Sequence, residues 1–242
     1  MRGVQIFPEK RIAWIQGGVR GGDLQVEAAR FGLAGVTGAL SGAGVGLMLG
    51  AGIGHLSPRA GYAADNILSL EVVTASGEVV VASPDDNADL FWAMRGSQGN
   101  FGVVTALEVQ LHDVPPLVQA GALGWSLDHL DRAVDVLRAS WEWSDHLSLI
   151  PFIGGTSFEG RGGLEVVVCH TGTPAQARAD IERLMAIAPP DEQSVSSVPF
   201  AELHFQYDDW WTPMRGATIQ QPVTELGDDL VEALVTAIRQ PA

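Results

Sequence analysis

The chain has 242 residues, 46% hydrophobic and 18% charged, which suits one or two packed domains and excludes a disordered polymer. Its 29 acidic residues against 14 basic ones give a formal charge of −15, with Lys10 as the single lysine. Such a surface repels phosphate backbones and anionic lipid, so neither nucleic acid nor a membrane is an expected partner.

The N-terminus, Met1 to Ile6, lacks the apolar core of a secretion signal, and no run of 18 apolar residues follows. A cytoplasmic location is the resulting expectation. Val4–Phe7 and Arg11–Gln16 read as two strands around Pro8-Glu9-Lys10. Asp23–Arg30 reads as a helix with Leu24, Ala28 and Phe31 on one face and Gly32 as its stop.

Residues 32–54 then carry nine glycines, at 32, 35, 38, 42, 44, 46, 50, 52 and 54. The residues between them, such as Val45, Leu47, Met48, Leu49 and Ile53, are apolar and want burial, so this is no solvated linker. The dinucleotide fingerprint Gly-x-Gly-x-x-Gly fails here. Counting from Gly42, Gly44, Gly50 or Gly52, the sixth position is Leu47, Leu49, His55 or Ser57. Glycine permits either close approach of a cofactor or tight packing of the chain on itself, and spacing alone leaves both open.

Ile67–Ala75 and Glu78–Ala82 flank Ser76-Gly77 and read as a β-hairpin. Asn87–Arg95 reads as a helix ended by Gly96. Gly102–Leu111 reads as a strand with Val103, Thr105, Leu107, Val109 and Leu111 on one face. Pro115-Pro116 can continue neither helix nor ladder, so a module junction is placed near Asp113, giving domains 1–113 and 114–242.

In the second half, Ser126–Ser140 reads as an amphipathic helix with Leu130, Val134, Leu137 and Trp141 at helical spacing. Leu147–Ile153 and Leu164–Cys169 read as strands. Thr173-Pro174-Ala175-Gln176 is a capping box that opens a helix carrying Ile181, Leu184, Met185 and Ala188. Asp228–Arg239 reads as a last helix.

Cys169 is the only cysteine, which excludes an intrachain disulfide and multi-cysteine metal sites. The six histidines show no ligand spacing, and no metal site is expected. Ser41, Ser57 and Ser97 lack the Gly-x-Ser-x-Gly setting of a hydrolase nucleophile. Asp85 to Gly96 lacks the glycine and glutamate of a calcium loop, so its acids read as helix N-terminal charges. Trp210-Trp211 reads as a small core anchor or a ring-binding surface.

The segment Gly46-Leu-Met-Leu-Gly-Ala-Gly-Ile-Gly-His-Leu-Ser57 resembles the GLTLGGGIGWLS stretch of FAD-linked oxidases. Gly61-Tyr-Ala-Ala-Asp-Asn66 and Leu90-Phe-Trp-Ala-Met-Arg-Gly-Ser-Gln-Gly-Asn-Phe-Gly-Val-Val-Thr105 follow in the family's order. The match, over Met1 to about His112, is to the berberine bridge enzyme-like group of the vanillyl-alcohol oxidase or PCMH-type flavoproteins. The resemblance implies an α+β fold: the C-terminal part of a PCMH-type FAD-binding domain, then a substrate module of antiparallel sheet with flanking helices. It implies FAD against the main chain at Gly46, Gly50, Gly52, Gly54 and His55, with Asp65 and Asn66 nearby and Gly102, Val103 and Val104 toward the adenine end. It implies hydride removal from a small alcohol, sugar or amine.

The family's front module, with its Gly-Gly-His-Ser-type loop, and its C-terminal Tyr-x-Asn stretch have no counterpart here, so a chain truncated at both ends is expected. The rival expectation is an inactive fragment, or a subunit completed by a separate N-terminal flavin-binding half. No cysteine stands near Ala39, so no cysteinyl flavin link is expected. No spacing selects a catalytic base; Tyr62, His204 and Tyr207 qualify by residue type alone.

Overall fold

Val4–Phe7 (β1) and Ile12–Gln16 (β2) pair antiparallel around a single turn of 3₁₀ helix at Pro8–Lys10. Arg11 closes that turn at φ 53°, its N–H donating to the Pro8 carbonyl at 3.0 Å. The computed structural model describes residues 1–97, 99–139, 144–154, 163–208 and 227–239. By contact the chain divides into two units, Met1–Leu117 with Val198–Trp211, and Val118–Ser197 with Thr212–Ala242.

The first unit is built on an antiparallel sheet that adds Leu33–Gly35 (β3), Ile67–Val73 (β4), Val79–Ala82 (β5) and Val103–Asp113 (β6). The strand order is β1-β2-β6-β4-β5, with β3 on the far end of β6. Ala13, Ile15, Leu70, Val72, Leu107, Val109 and Leu111 are buried. The alternation in β6 holds from Leu107 onward, but Val103 is 64% exposed. Its register against β4 slips between Glu71 and Val72, and a bulge of that kind changes which face a residue meets. The hairpin joins β4 to β5 through Gly77 at φ 84°, where the left-handed backbone needs a residue without a Cβ.

Helix α1 (Gly21–Ala29) lays Leu24, Gln25 and Ala28 inward. It ends before Phe31, which is half exposed instead of completing the expected buried face. Val45–Leu49 (α2) and Ser57–Ala60 (α3) are short, and Ala88–Ser97 (α4) buries Phe91 and Met94 before its backbone breaks at Arg95 and Gly96.

The second unit is an antiparallel sheet of Leu117–Ser126 (β7), Leu147–Gly154 (β8), Gly163–His170 (β9) and Glu192–Gln193 (β10), in the order β10-β7-β9-β8. Ser196–Pro199 (β11) also pairs with β7. Leu130–Ala139 (α5) and Pro174–Ile187 (α6) cover one face. Leu130, Ala133, Leu137, Ile181 and Leu184 meet Leu123, Trp125, Leu164, Val166 and Val168 in one core. The Thr173 hydroxyl accepts from the Gln176 N–H at 3.3 Å, as the capping box requires. Phe200–Leu203 (α7) and Asp228–Arg239 (α8) complete the described helices. No helix among the described residues is long and apolar enough to cross a membrane. Trp141, Trp210 and Trp211 lie outside the described residues.

Candidate functional site

The glycine-rich stretch has a packed side and an open side. A Cβ at Gly54 would stand 2.1 Å from the Thr37 carbonyl oxygen, so only glycine lets these two backbones touch. Gly52, at φ 72°, lies against Ala63, and its carbonyl accepts from the Ala63 N–H at 2.9 Å. The Ala51 carbonyl accepts likewise from Ala64, so the 50–54 loop is laced to the 63–66 turn. Gly46 is the opposite case: nothing lies within 4 Å of where its Cβ would be. Leu47, next to it in the chain, and Ile53, in the following loop, are exposed. Tight packing thus accounts for Gly52 and Gly54, and not for Gly46. Gly46 leaves its side of α2 bare.

Ala51 sits at φ 108°, a backbone region that side chains avoid, at the position where the resembling motif has glycine. The strain is held by the two hydrogen bonds from Ala63 and Ala64 on either side of the loop.

Behind this loop His55 is 3% exposed, and neither ring nitrogen has a hydrogen bond of normal geometry. Its ring meets the ring of His204 edge-on, centroids 5.3 Å apart. Burial, then the charge of His204, pushes His55 down to about 3, with the Ala39 carbonyl opposing in part. Burial pushes His204 down to about 4, against its hydrogen bond to the Phe200 carbonyl and the Asp208 charge. Both rings are therefore neutral near pH 7. The Phe200 carbonyl is 3.2 Å from His204 Nδ1 and accepts its proton, which leaves Nε2 as an acceptor facing Gln25 at 3.5 Å.

Gln25 is the hub of this wall. Its Nε2 donates to the Gly35 carbonyl at 2.8 Å and to the Thr37 hydroxyl at 3.1 Å, and its Oε1 accepts from the Gly35 N–H at 3.1 Å. Ser41 is gripped by the residues after α7: its N–H donates to the His204 carbonyl at 2.7 Å and to Asp208 Oδ1 at 3.2 Å, and its hydroxyl donates to Asp208 Oδ2.

The other residues named from sequence are placed as follows. Asp65 Oδ2 accepts from the Tyr62 N–H at 2.9 Å. Asn66 Nδ2 donates to the Ala60 and Tyr62 carbonyls at 2.8 Å each, and its Oδ1 stands 2.6 Å from His112 Nε2. The pair thus ties down the loop that Ala63 and Ala64 share with Gly52 and Ala51. Gly50 closes α2, its N–H donating to the Gly46 and Leu47 carbonyls. Val103 and Val104 pair with the end of β4 that lies away from Asn66, and Gly102 directly precedes them. The nine steps of strand from Val103 to His112 put Val103 about 30 Å along β6 from the Asn66–His112 contact. Tyr62 is half exposed, Tyr207 is buried, and His204 belongs to the wall just described.

An open cleft of about 490 Å³, lined by Arg2, Val4, Gly22, Asp23, Val26, Glu27 and Phe205, shares no residue with this set. Sequence reasoning missed the roles of Gln25, Thr37, Ser41 and Asp208, the last two of which meet across 167 positions of sequence. It also missed Glu165 on β9, buried with both carboxyl oxygens unpaired. The available signal was one acid inside the apolar run Leu164–Cys169.

Comparison with known proteins bears on the same residues. Residues 1–83 match the family model described as FAD binding domain. The chain is 39% identical over 208 residues to (R)-6-hydroxynicotine oxidase of Paenarthrobacter nicotinovorans, covering 84% of this chain and 45% of that protein. The crystal structure of 6-hydroxy-D-nicotine oxidase from Arthrobacter nicotinovorans superimposes with a TM-score of 0.72 at 39% identity, over 84% of this chain and 46% of that one. The xylooligosaccharide oxidase of Myceliophthora thermophila, solved with xylobiose, gives 0.70 at 27% identity, over 84% and 44%. The chain spans about half the length of the relatives it matches.

Proposed function

Because this chain is related to the PCMH-type FAD-linked oxidases, the berberine bridge enzyme-like group among them, we propose that it serves an FAD-dependent oxidoreductase removing a hydride from a C–H bond of a small alcohol, sugar or amine. The observation that supports the reading is the open main chain at Gly46 in α2, next to the exposed Leu47 and just before the 50–54 loop, which carries the exposed Ile53 and is held by the 63–66 turn.

The residues proposed for the cofactor site are Gly46, Gly50, Gly52, Gly54, His55, Asp65, Asn66, Gly102, Val103 and Val104, most of them acting as support and not as direct contacts. Gly46 offers bare backbone. Gly52, Gly54, Asp65 and Asn66 hold the loop rigid through the contacts given above, and positioning by a rigid scaffold is what such a protein contributes. His55, neutral and dry, presents no charge to the back of the loop. When bound, FAD supplies the hydride acceptor. Residues 1–113 then correspond to a flavin-binding part and 114–242 to a substrate-facing part, except for Val198–Trp211, which group with the first unit.

Titrating the purified chain with FAD and following its visible absorption band and fluorescence quenching tests this reading. Saturable uptake, weakened by Gly46→Val, is the expected result. A chain that leaves FAD free in solution overturns the reading for this polypeptide alone. It would favour a shared site completed by a separate flavin-binding half.

A further inference from the structure

One corner of the first unit's sheet is apolar on its uncovered face. Val79, Val73 and Val103 are register partners in one row across β5, β4 and β6. Val81 and Glu71 are partners two positions along, and therefore on the same face. Leu70, Val72 and Ala82, which alternate with them, are buried in the core. Val79 and Val103 are each 64% exposed and Val81 is 52% exposed, although valine is a residue that folds bury. Single exposed valines scattered over a surface are ordinary, but three in adjoining positions of one flat face make a contact surface.

Strand β5 is the edge of this sheet, and its edge is already blocked in part. The Val81 carbonyl accepts from Asn87 Nδ2 at 2.7 Å, so a further strand cannot pair there. The corner thus offers its face and not its edge.

The charges of the corner have one sign. Glu71 stands among the valines, and its Oε1 accepts from the Thr105 hydroxyl. Ser69 and Glu108 are register partners farther along the same face, and Ser69 Oγ donates to Glu108 Oε2 at 3.1 Å. Between Arg59 and Arg95 the chain carries Asp65, Glu71, Glu78, Asp85, Asp86 and Asp89 and no lysine, arginine or histidine. A second copy of the chain would set the same acids against these, and a charge of −15 against −15, which opposes pairing of like faces. Nucleic acid is repelled on the same ground.

We infer that this corner docks a protein partner through a segment that alternates apolar side chains with lysine or arginine. The apolar side chains cover Val79, Val81 and Val103, and a cation pairs with Glu71, whose carboxylate Thr105 already holds. Removal of water from the valines supplies affinity, while the acids select a basic partner and speed its approach. The docking face shares only Val103 with the residues proposed for the cofactor, and Val103 is left unaltered in the test.

The test uses the whole 242-residue chain with three fluorescein-labelled peptides, binding being read by fluorescence anisotropy at about 0.15 M salt. One is Val-Lys-Val-Arg-Val-Lys-Val, one has serine in place of each valine, and one has glutamate in place of each basic residue. The valine–lysine peptide should bind about fivefold or more tighter than its serine counterpart, and the glutamate peptide should not bind. Val79→Ser combined with Val81→Ser should bring the valine–lysine peptide down to the level of the serine peptide, with an unchanged urea midpoint because both side chains are exposed. Glu71→Gln should weaken it about threefold and flatten its salt dependence. Amide shifts of the wild-type chain in ¹⁵N NMR add a reading that needs no variant, with peptide-induced changes gathered at Val73, Val79 and Val81. Equal affinity for the valine and serine peptides, full binding by the double variant, or shifts gathered elsewhere overturns the inference. Sedimentation of the peptide-free chain tests the rival occupant: a dimer that the double variant loses assigns the face to a second copy and overturns the basic partner.

Discussion

His204 stands edge-on to His55, ring centroids 5.3 Å apart at an interplanar angle of 84°, although 149 residues separate them in sequence. The contact joins the last residue of the glycine-rich stretch's buried side to the end of α7. It has a consequence for pH. Both folded-state values lie below the ordinary histidine value, about 3 and about 4 against 6.5. Below pH 6.5 the unfolded chain therefore binds protons that the folded chain refuses. Stability is full above 6.5 and is lost as pH falls toward 4, by about 1.4 kcal/mol per pH unit for each histidine. Urea denaturation at stepped pH should show this slope, and His55→Leu should reduce it. An unchanged slope in that variant would place the titration elsewhere.

Ala51→Gly should stabilise the protein. An alanine at φ 108° carries strain of about 1–3 kcal/mol, and glycine relieves it while costing about 1 kcal/mol in unfolded-state entropy. The net expectation is a gain of about 1 kcal/mol, read as a raised urea midpoint with an unchanged m-value. A lowered midpoint would mean that the methyl group contributes packing worth more than the strain.

The grip of Asp208 on Ser41 should behave as a coupled pair. Removing either partner leaves part-buried polar groups unsatisfied, at about 1–3 kcal/mol. Ser41→Ala and Asp208→Ala should each cost that much, and the double variant should cost less than their sum. Strict additivity would show that the contact is energetically idle.

What the sequence made legible follows from range. Short periodic signals recovered β1 and β2, the β4–β5 hairpin, α4 with its Gly96 stop, and the Thr173 capping box, because each is decided by a few neighbouring residues. Phe31 and Val103 were misplaced where a helix ended at Ala29, short of Phe31, and where a bulge shifted register, events that periodicity does not record. The glycine motif was readable as a string. Which glycines pack and which stay open was not, because Thr37 and Ala63 decide it from outside the motif. The return of residues 198–208 to the first unit was invisible for the same reason: Ser41, Gln25 and His204 meet only in three dimensions.

Glu165 makes a prediction about stability that opposes the histidine pair. Its folded-state value is raised, to about 7 from an ordinary 4.5, first by burial and then by Glu192. Between those values the folded chain holds a proton that the unfolded chain has released, so stability falls as pH rises from 4.5 to 7 and levels off above. Glu165→Gln keeps the shape of the side chain and removes its ionisation. The variant should therefore match wild type near pH 4.5 and exceed it increasingly up to pH 7, while the histidine slope at lower pH stays as it was. Thermal and urea unfolding at matched ionic strength would register the difference. A variant less stable than wild type above pH 7 would mean that the ionised carboxylate has found a partner in the fold.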